Sequence, residues 1–308
     1  MTKVKENILL APFTTLGVGG GARFLVEAQS EHDVREGITL ARQQHFPLFV
    51  LGGGSNVLVP DTGIEGVVLK MEMQGIRVEE KGGHVIITAE AGTRWDEVVD
   101  AAFVHEVFGI ENLAGIPGSL GGAVVQNIGA YGAELSPVFS CAEVIQKDTG
   151  TLVSISHADA AFAYRDSFFK QHPELIIIRA TLRLSKDAKP DIGYSDVARA
   201  YASGTPLSTP KEIARAIRAI RAKKFPHASH EGTAGSFFKN PVIPQAQAAS
   251  LREKFSDLPV FPQENGMVKI PLAWLLDHAL HLKGYEIGPV RLYERQPLVI
   301  VARAGATA

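Results

Sequence analysis

The feature that most restricts this chain is a run of small residues at 114–132. It reads Ala114-Gly115-Ile116-Pro117-Gly118-Ser119-Leu120-Gly121-Gly122-Ala123-Val124-Val125-Gln126-Asn127-Ile128-Gly129-Ala130-Tyr131-Gly132. Glycine costs a helix about 1 kcal/mol per residue relative to alanine, and it leaves a strand nothing to pack. The run is therefore expected to be neither an ordinary helix nor an ordinary strand. Glycine does permit positive φ, and it lets a flat or charged ligand approach main-chain N–H groups. A loose surface loop would be rich in Ser, Asp and Lys, whereas this run is interleaved with Ile, Leu and Val.

A second cluster lies upstream, where Leu51 precedes Gly52-Gly53-Gly54-Ser55-Asn56. It follows the apolar residues Pro47-Leu48-Phe49-Val50, read as a buried strand. A strand ending in a glycine turn with hydroxyl and amide donors suits a phosphate nest. The cluster fits neither the G-x-x-x-x-G-K-[ST] loop nor the G-x-G-x-x-G fingerprint. Two separated nests suggest a long ligand with a diphosphate in its middle.

The remaining composition excludes several classes. A net charge of −2 with no long Lys/Arg run argues against a nucleic-acid partner. The single Cys141 excludes an intrachain disulfide and a thiolate metal cluster, so no metal is expected, and it fits a reducing cytoplasm. Cys141 opens a strand-like segment and reads as a buried structural thiol. No apolar run approaches the ~18 residues of a bilayer span, and the N-terminus lacks a signal-like core. A cytoplasmic monomer with a small-molecule substrate is expected.

Along the chain, Ser30 with Asp33 opens a helix bearing Val34, Ile38 and Ala41. Strands are expected at Val67-Val68-Leu69 and Val85–Ala89, then a helix opened by Gly92-Thr93 and running through Trp95, Val98, Val99, Ala102 and Phe103. Asp148-Thr149-Gly150 is a hairpin signal. Ser203-Gly204-Thr205-Pro206 is turn-like, so a boundary is set between domains 1–205 and 206–308. Thr209, Pro210 and Glu212 form a helix start, and Ile213, Ile217 and Ile220 form its apolar stripe. The cations Arg215, Arg218, Arg221, Lys223 and Lys224 either form a solvated face or meet a ligand phosphate.

Four segments taken in order resemble one family. They are residues 51–58, residues 115–118 with 126–132, Tyr164-Arg165-Asp166-Ser167, and Gly235-Ser236-Phe237-Phe238-Lys239-Asn240-Pro241. Together they resemble the UDP-N-acetylenolpyruvoylglucosamine reductase (MurB) family, over about residues 7–301. The resemblance implies an α+β protein. Its parts would be a two-subdomain FAD-binding domain of the PCMH/vanillyl-alcohol-oxidase type and a C-terminal α+β substrate-binding domain. It implies an NADPH-dependent flavoenzyme that reduces UDP-N-acetylglucosamine enolpyruvate to UDP-N-acetylmuramate for peptidoglycan, with NADPH against NADH left open. Related oxidases attach the flavin through a histidine near the first nest. Ser55 stands here, so FAD is expected to be noncovalent.

That chemistry can be derived from the substrate, an enol ether conjugated to a carboxylate. Hydride addition to its terminal carbon leaves an enediolate. The reaction needs a cation at the carboxylate and a proton donor at the adjacent carbon. Arg165 suits the first role as a permanently charged fork, and Ser236 suits the second. By resemblance they are the catalytic pair. Tyr164, Tyr194, Lys224, Asn240 and Gln296 match substrate positions. The expected FAD contacts are Gly52, Gly53, Gly54, Ser55 and Asn56 in the first nest. In the long run they are Gly115, Ile116, Pro117, Gly118, Ser119, Gly122, Asn127, Gly129, Ala130 and Tyr131, joined by Arg221. The family also carries a catalytic glutamate in a Leu-Glu-Pro-Glu-like motif beyond the position of Val301. No such motif occurs here, and Glu294 does not match it. The alternative reading is a flavin- or nucleotide-binding protein with impaired turnover, truncated at its end and leaving the strand Pro297–Val301 at an exposed edge.

Overall fold

The computed structural model describes residues 2–188, 191–226 and 231–308. Contacts divide the chain into two compact units. The first comprises Met1–Leu10, Gly20–Gly54 and Thr62–Arg221, and the second Ala11–Gly19, Ser55–Asp61 and Ala222–Ala308.

The first unit holds two larger sheets. One runs β1-β2-β4-β3, from β1 (Lys3–Leu9), β2 (Gly21–Ala28), β3 (Leu48–Leu51) and β4 (Ile64–Met71). β2 and β3 both lie parallel to β4. Parallel neighbours require a crossover, and α1 (Glu31–Gln43) supplies the link from β2 to β3. Ser30 caps α1 by accepting the Asp33 N–H at 3.3 Å, and Val34, Ile38 and Ala41 are buried as their spacing predicts. The expectation of a buried strand at Phe49 and Val50 is corrected. They are 47% and 42% exposed, because β3 is an edge strand with one side uncovered.

The other large sheet is antiparallel throughout. Its members are β5 (Ile76–Lys81) and β6 (His84–Glu90), then, after a small hairpin of β7 (Gly129–Ala130) and β8 (Ala133–Glu134), β9 (Phe139–Gln146), β10 (Leu152–Ser156) and β11 (Leu175–Ser185). They pair in the order β10-β9-β11-β6-β5. β9 and β10 are joined through Asp148–Gly150, with Gly150 at φ 69 as the turn requires. Cys141 lies in β9, half-buried. Val85, Ile87 and Ala89 alternate inward along β6. They meet α2 (Trp95–Val104), whose Trp95, Val98, Val99 and Ala102 belong to the same core.

The glycine run departs from expectation at one place. Residues Leu120–Val125 form α3, a short helix that contains two glycines. Gly121 explains this, because a Cβ there would lie 3.0 Å from Ala91 Cβ and 3.2 Å from its carbonyl oxygen. Close approach of helix to strand end needs glycine even though glycine weakens the helix. The chain continues through α4 (Phe168–Gln171) and α5 (Ser195–Ala202) to α6 (Pro210–Lys224). α6 starts with the expected capping box. Glu212 N–H donates to Thr209 Oγ1 at 3.2 Å, and Thr209 N–H donates to Glu212 Oε2 at 3.1 Å. Ile213, Ala214 and Ile217 join the core of the first unit, so the division falls after Arg221 whereas the turn signals suggested 205.

The second unit contains α7 (Gln245–Lys254) and two small antiparallel sheets. Their strands are β12 (Gly232–Ser236), β13 (Val242–Pro244), β14 (Phe261–Pro262), β15 (Met267–Lys269), β16 (Glu286–Ile287), β17 (Val290–Tyr293) and β18 (Gln296–Ala302). One sheet runs β12-β18-β17-β16 and the other β13-β15-β14. The expectation that the strand at 297–301 lies on an exposed edge is corrected. β18 is flanked on both sides, and Val299 and Val301 are fully buried.

Candidate active site

The two glycine clusters meet in the first unit. A Cβ on Gly53 would stand 2.6 Å from Gly118 Cα, and one on Gly52 would stand 2.6 Å from Ser119 Oγ. Any larger residue would push the two turns apart. Gly54, Gly115 and Gly118 have φ of 65°, 70° and 125°, which favour glycine. Ser119 is 4% exposed, and its Oγ has no hydrogen-bond partner among the described residues. A buried hydroxyl beside two abutting glycine turns fits a group held against main chain, as a dinucleotide diphosphate would be. Ile116 and Pro117 bridge the two turning glycines, and Gly122 lies inside α3. Ser55 and Asn56 follow Gly54 directly but belong to the second unit.

Arg221 and Arg218 bracket Gly115. Arg221 Nε donates to Gly115 O at 2.9 Å, while Asp96 Oδ1 accepts the Gly115 N–H at 2.7 Å. Asp96 also pairs with Arg218 at 2.9 Å, and Asp100 joins at 2.6 Å. Asp96 thus fixes the loop, a part the sequence reading missed. Its signal was only an acidic residue at the start of a helix. Burial pulls the Arg221 guanidinium below its usual pKa, opposed by the Tyr131 hydroxyl with which it hydrogen-bonds. Burial likewise raises the Tyr131 phenol.

The end of the glycine run shapes the next group. Asn127 and Tyr131 take positive φ of 42° and 50°. Asn127 is 1% exposed, and its amide is fully engaged within the protein. Nδ2 donates to Glu134 Oε2 and Ala163 O, each at 3.0 Å, and Oδ1 accepts the Ser136 N–H at 3.0 Å. Its side chain therefore builds the turn, with both amide protons committed. Gly129 and Ala130 form β7, which pairs with β8.

Arg165 is half-buried and also left-handed, at φ 56. A non-glycine residue there carries strain of about 1 kcal/mol or more. Lys170 Nζ, donating to the Arg165 carbonyl at 2.9 Å, helps to hold it. The guanidinium donates to Gly129 O and, at 3.5 Å, to Asn127 O. It lies 5.7 Å from the Tyr164 ring. Among the described residues it has no carboxylate partner, so its charge is free to attract an anion. Tyr194 is 42% exposed and meets Tyr131 edge-on at 5.3 Å.

The remaining expected residues lie in the second unit, Lys224 among them at the very end of α6. Ser236 ends β12, exposed, opposite Val299 of β18. Gly235 at φ 74 and a register shift after Thr233 turn this strand end outward from regular pairing. Phe237 N–H still donates to Leu298 O at 2.8 Å. Asn240 Oδ1 accepts the Leu272 N–H at 3.0 Å, which leaves its amide protons clear of that bond. Gln296 begins β18, and its Oε1 accepts the Leu298 N–H at 3.5 Å. Arg295 Nη1 donates to Lys223 O at 3.0 Å, tying the β17–β18 turn to the end of α6. Among the described residues no cluster of His, Cys, Asp or Glu could hold a metal ion. No helix among them is long and apolar enough to cross a membrane.

Comparison with known proteins places these features. Residues 22–156 match the model of an FAD binding domain. Residues 226–308 match the C-terminal domain of UDP-N-acetylenolpyruvoylglucosamine reductase. The chain is 41% identical to the reductase of that name from Pseudomonas aeruginosa, over 99% of this chain and 90% of the relative. It is 37% identical to that of Neisseria meningitidis, over 100% and 90%. The crystal structure of MurB from Thermus caldophilus superposes with a TM-score of 0.68 at 26% identity, covering 100% of this chain and 91% of that one. A similarity of this extent, spanning both units, shows that the chain belongs to the UDP-N-acetylenolpyruvoylglucosamine reductase family.

Proposed function

We propose that this chain is an FAD- and NADPH-dependent reductase that converts UDP-N-acetylglucosamine enolpyruvate to UDP-N-acetylmuramate, a peptidoglycan precursor. The observation that carries the reading is Arg165, a half-buried guanidinium held by carbonyls of the glycine run and paired with no carboxylate among the described residues. A cation so placed suits a carboxylate that gains charge during reaction. FAD, once bound and reduced by NADPH, supplies the hydride. In this reading the abutting turns at Gly53 and Gly118 cradle its diphosphate, with Ser119 Oγ free to bond it. Ser55 and Asn56 extend the first turn, and Arg221 holds the Gly115 carbonyl while bonding the Tyr131 hydroxyl.

The chain's own residues do the rest of the chemistry. Arg165 binds the substrate carboxylate as a fork and stabilises the enediolate that forms there. Ser236, at an exposed strand end, donates the proton to the adjacent carbon. Tyr164, Tyr194, Lys224, Asn240 and Gln296 hold the nucleotide sugar. The same reading has the chain act as a cytoplasmic monomer.

The test is a pair of anaerobic half-reactions on the purified protein. Acid precipitation should first release all yellow colour, as noncovalent FAD requires. NADPH should then bleach the flavin, and the enolpyruvate substrate should restore its colour. Reduced flavin that the substrate cannot reoxidise would overturn the proposal.

A further inference from the structure

Asn112 belongs to the short turn of helix Glu111–Leu113 and is 1% exposed. Its neighbours hold it firmly. Trp95 Nε1 donates to Leu113 O at 2.9 Å, and Gly109 N–H donates to Glu111 Oε2 at 2.6 Å. A primary amide has two protons to give. Asn112 gives one to Tyr131 O at 2.9 Å and one to Asp191 O at 2.7 Å. Its Oδ1 is buried and accepts nothing among the described residues. Half of this amide therefore sits at a loss in the interior, while its other half joins two segments distant in sequence.

Those segments are the end of the glycine run and the start of the stretch that carries Tyr194. Asp191 strengthens the junction. Its Oδ1 accepts the Gly193 N–H at 3.0 Å, and its Oδ2 lies 2.9 Å from where a Cβ on Gly132 would be. Beyond it the rings of Tyr194 and Tyr131 meet edge-on. One buried side chain thus latches the Tyr194 stretch onto the Tyr131 turn.

We propose that Asn112 is a positioning residue that sets Tyr194 for the nucleotide sugar by tying residues 191–194 to the turn at Tyr131. This rests on the reading above in which Tyr194 engages the substrate. An aliphatic side chain of similar size would fill the same space and donate to neither carbonyl, so the latch would be lost with the packing kept.

The experiment uses the FAD-loaded Asn112→Leu variant. Amide exchange across residues 191–198 should rise about tenfold, with strands of the large sheets unchanged. KM for the enolpyruvate substrate should rise about tenfold, with flavin content and flavin reduction by NADPH within about twofold of the parent. In a Tyr194→Ala background, Asn112→Leu should add no further rise in KM. Unchanged exchange at 191–198 overturns the latch. Parallel losses in flavin content and in both half-reactions overturn it too, since they mark a merely structural role. If Tyr194→Ala alone leaves KM unaltered, the assignment of Tyr194 fails, and exchange alone decides the latch. Should Asn112→Leu not fold, Gly132→Ala, whose Cβ would stand 2.9 Å from the Asp191 carboxylate, must give the same exchange and KM changes, and failure to do so overturns the proposal.

Discussion

Replacing Asn127 by alanine tests how the glycine run is held. Three hydrogen bonds disappear, to Glu134, Ala163 and Ser136. The partners lie partly at the surface and regain water, so each loss falls near the low end, about 1 kcal/mol. Alanine must also adopt φ 42, at a cost of about 1 kcal/mol. The sum is about 4 kcal/mol, a large share of the stability of an ordinary domain. Glycine at 127 loses the same bonds without the left-handed penalty. Asn127→Gly should therefore recover about 1 kcal/mol of the loss.

Urea unfolding measures both variants. Trp95 is 1% exposed in the first unit, while Trp274 lies in the second. A Trp274→Phe background lets fluorescence follow the first unit alone. A shift in midpoint at constant slope reports the change in stability. A loss below about 1 kcal/mol for Asn127→Ala would refute the claim that the amide builds the turn. Glycine more damaging than alanine would refute the backbone argument.

Further outcomes follow from other parts of the structure. Ser236→Ala should leave flavin reduction by NADPH near normal and slow reoxidation by substrate by about 10² or more, while equal losses in stopped-flow traces of both half-reactions would contradict a proton-donor role. Gly53→Ala places a Cβ 2.6 Å from Gly118 Cα, so the protein should purify without flavin, and a flavin-replete spectrum would contradict the junction described here. Glu111 is 4% exposed, and burial raises its carboxyl above the ordinary range, despite N–H bonds from Gly109 and Ile110 that favour the anion. The native state then holds a proton that the unfolded chain releases, so this group's contribution is fullest below the unfolded pKa and is lost as pH rises through the raised folded value. Glu111→Gln should flatten that part of the stability–pH curve measured by thermal unfolding, and an unchanged slope would count against the buried assignment.

Much of this is legible in the sequence, for physical reasons. Thr209 with Glu212 and Ser30 with Asp33 announce helix starts because capping is local, involving residues three apart. The glycine turns were legible because positive φ restricts the residue type. What the sequence hid depends on distant neighbours. The short helix Leu120–Val125 forms because Gly121 meets Ala91, a contact no local rule contains. Phe49 and Val50 look like core until the sheet order leaves β3 on an edge. Residues 297–301 look like an edge until β12 covers one side and β17 the other. Asp96 and Asn112 were passed over because a carboxylate and an amide on short helical segments resemble ordinary surface residues. Only Gly115, Tyr131 and Asp191, brought in from elsewhere, give them work.

The composition of the second unit bears on the order in which the chain can be completed. It gathers Ala11–Gly19 and Ser55–Asp61 along with Ala222–Ala308. Leu16 and Val18 share a buried cluster with Ala302, and Thr233 N–H donates to Thr15 O at 2.8 Å. These two segments, made well before residue 222, must therefore wait without their final partners until residues 222–308 have followed. During that interval Leu16, Val18 and Val59 are exposed greasy surface on a nascent chain whose first unit is otherwise ready to fold. A gene fragment beginning at residue 222 would lack those segments altogether, so the second unit has no contiguous genetic counterpart and cannot be cut out with a single pair of primers.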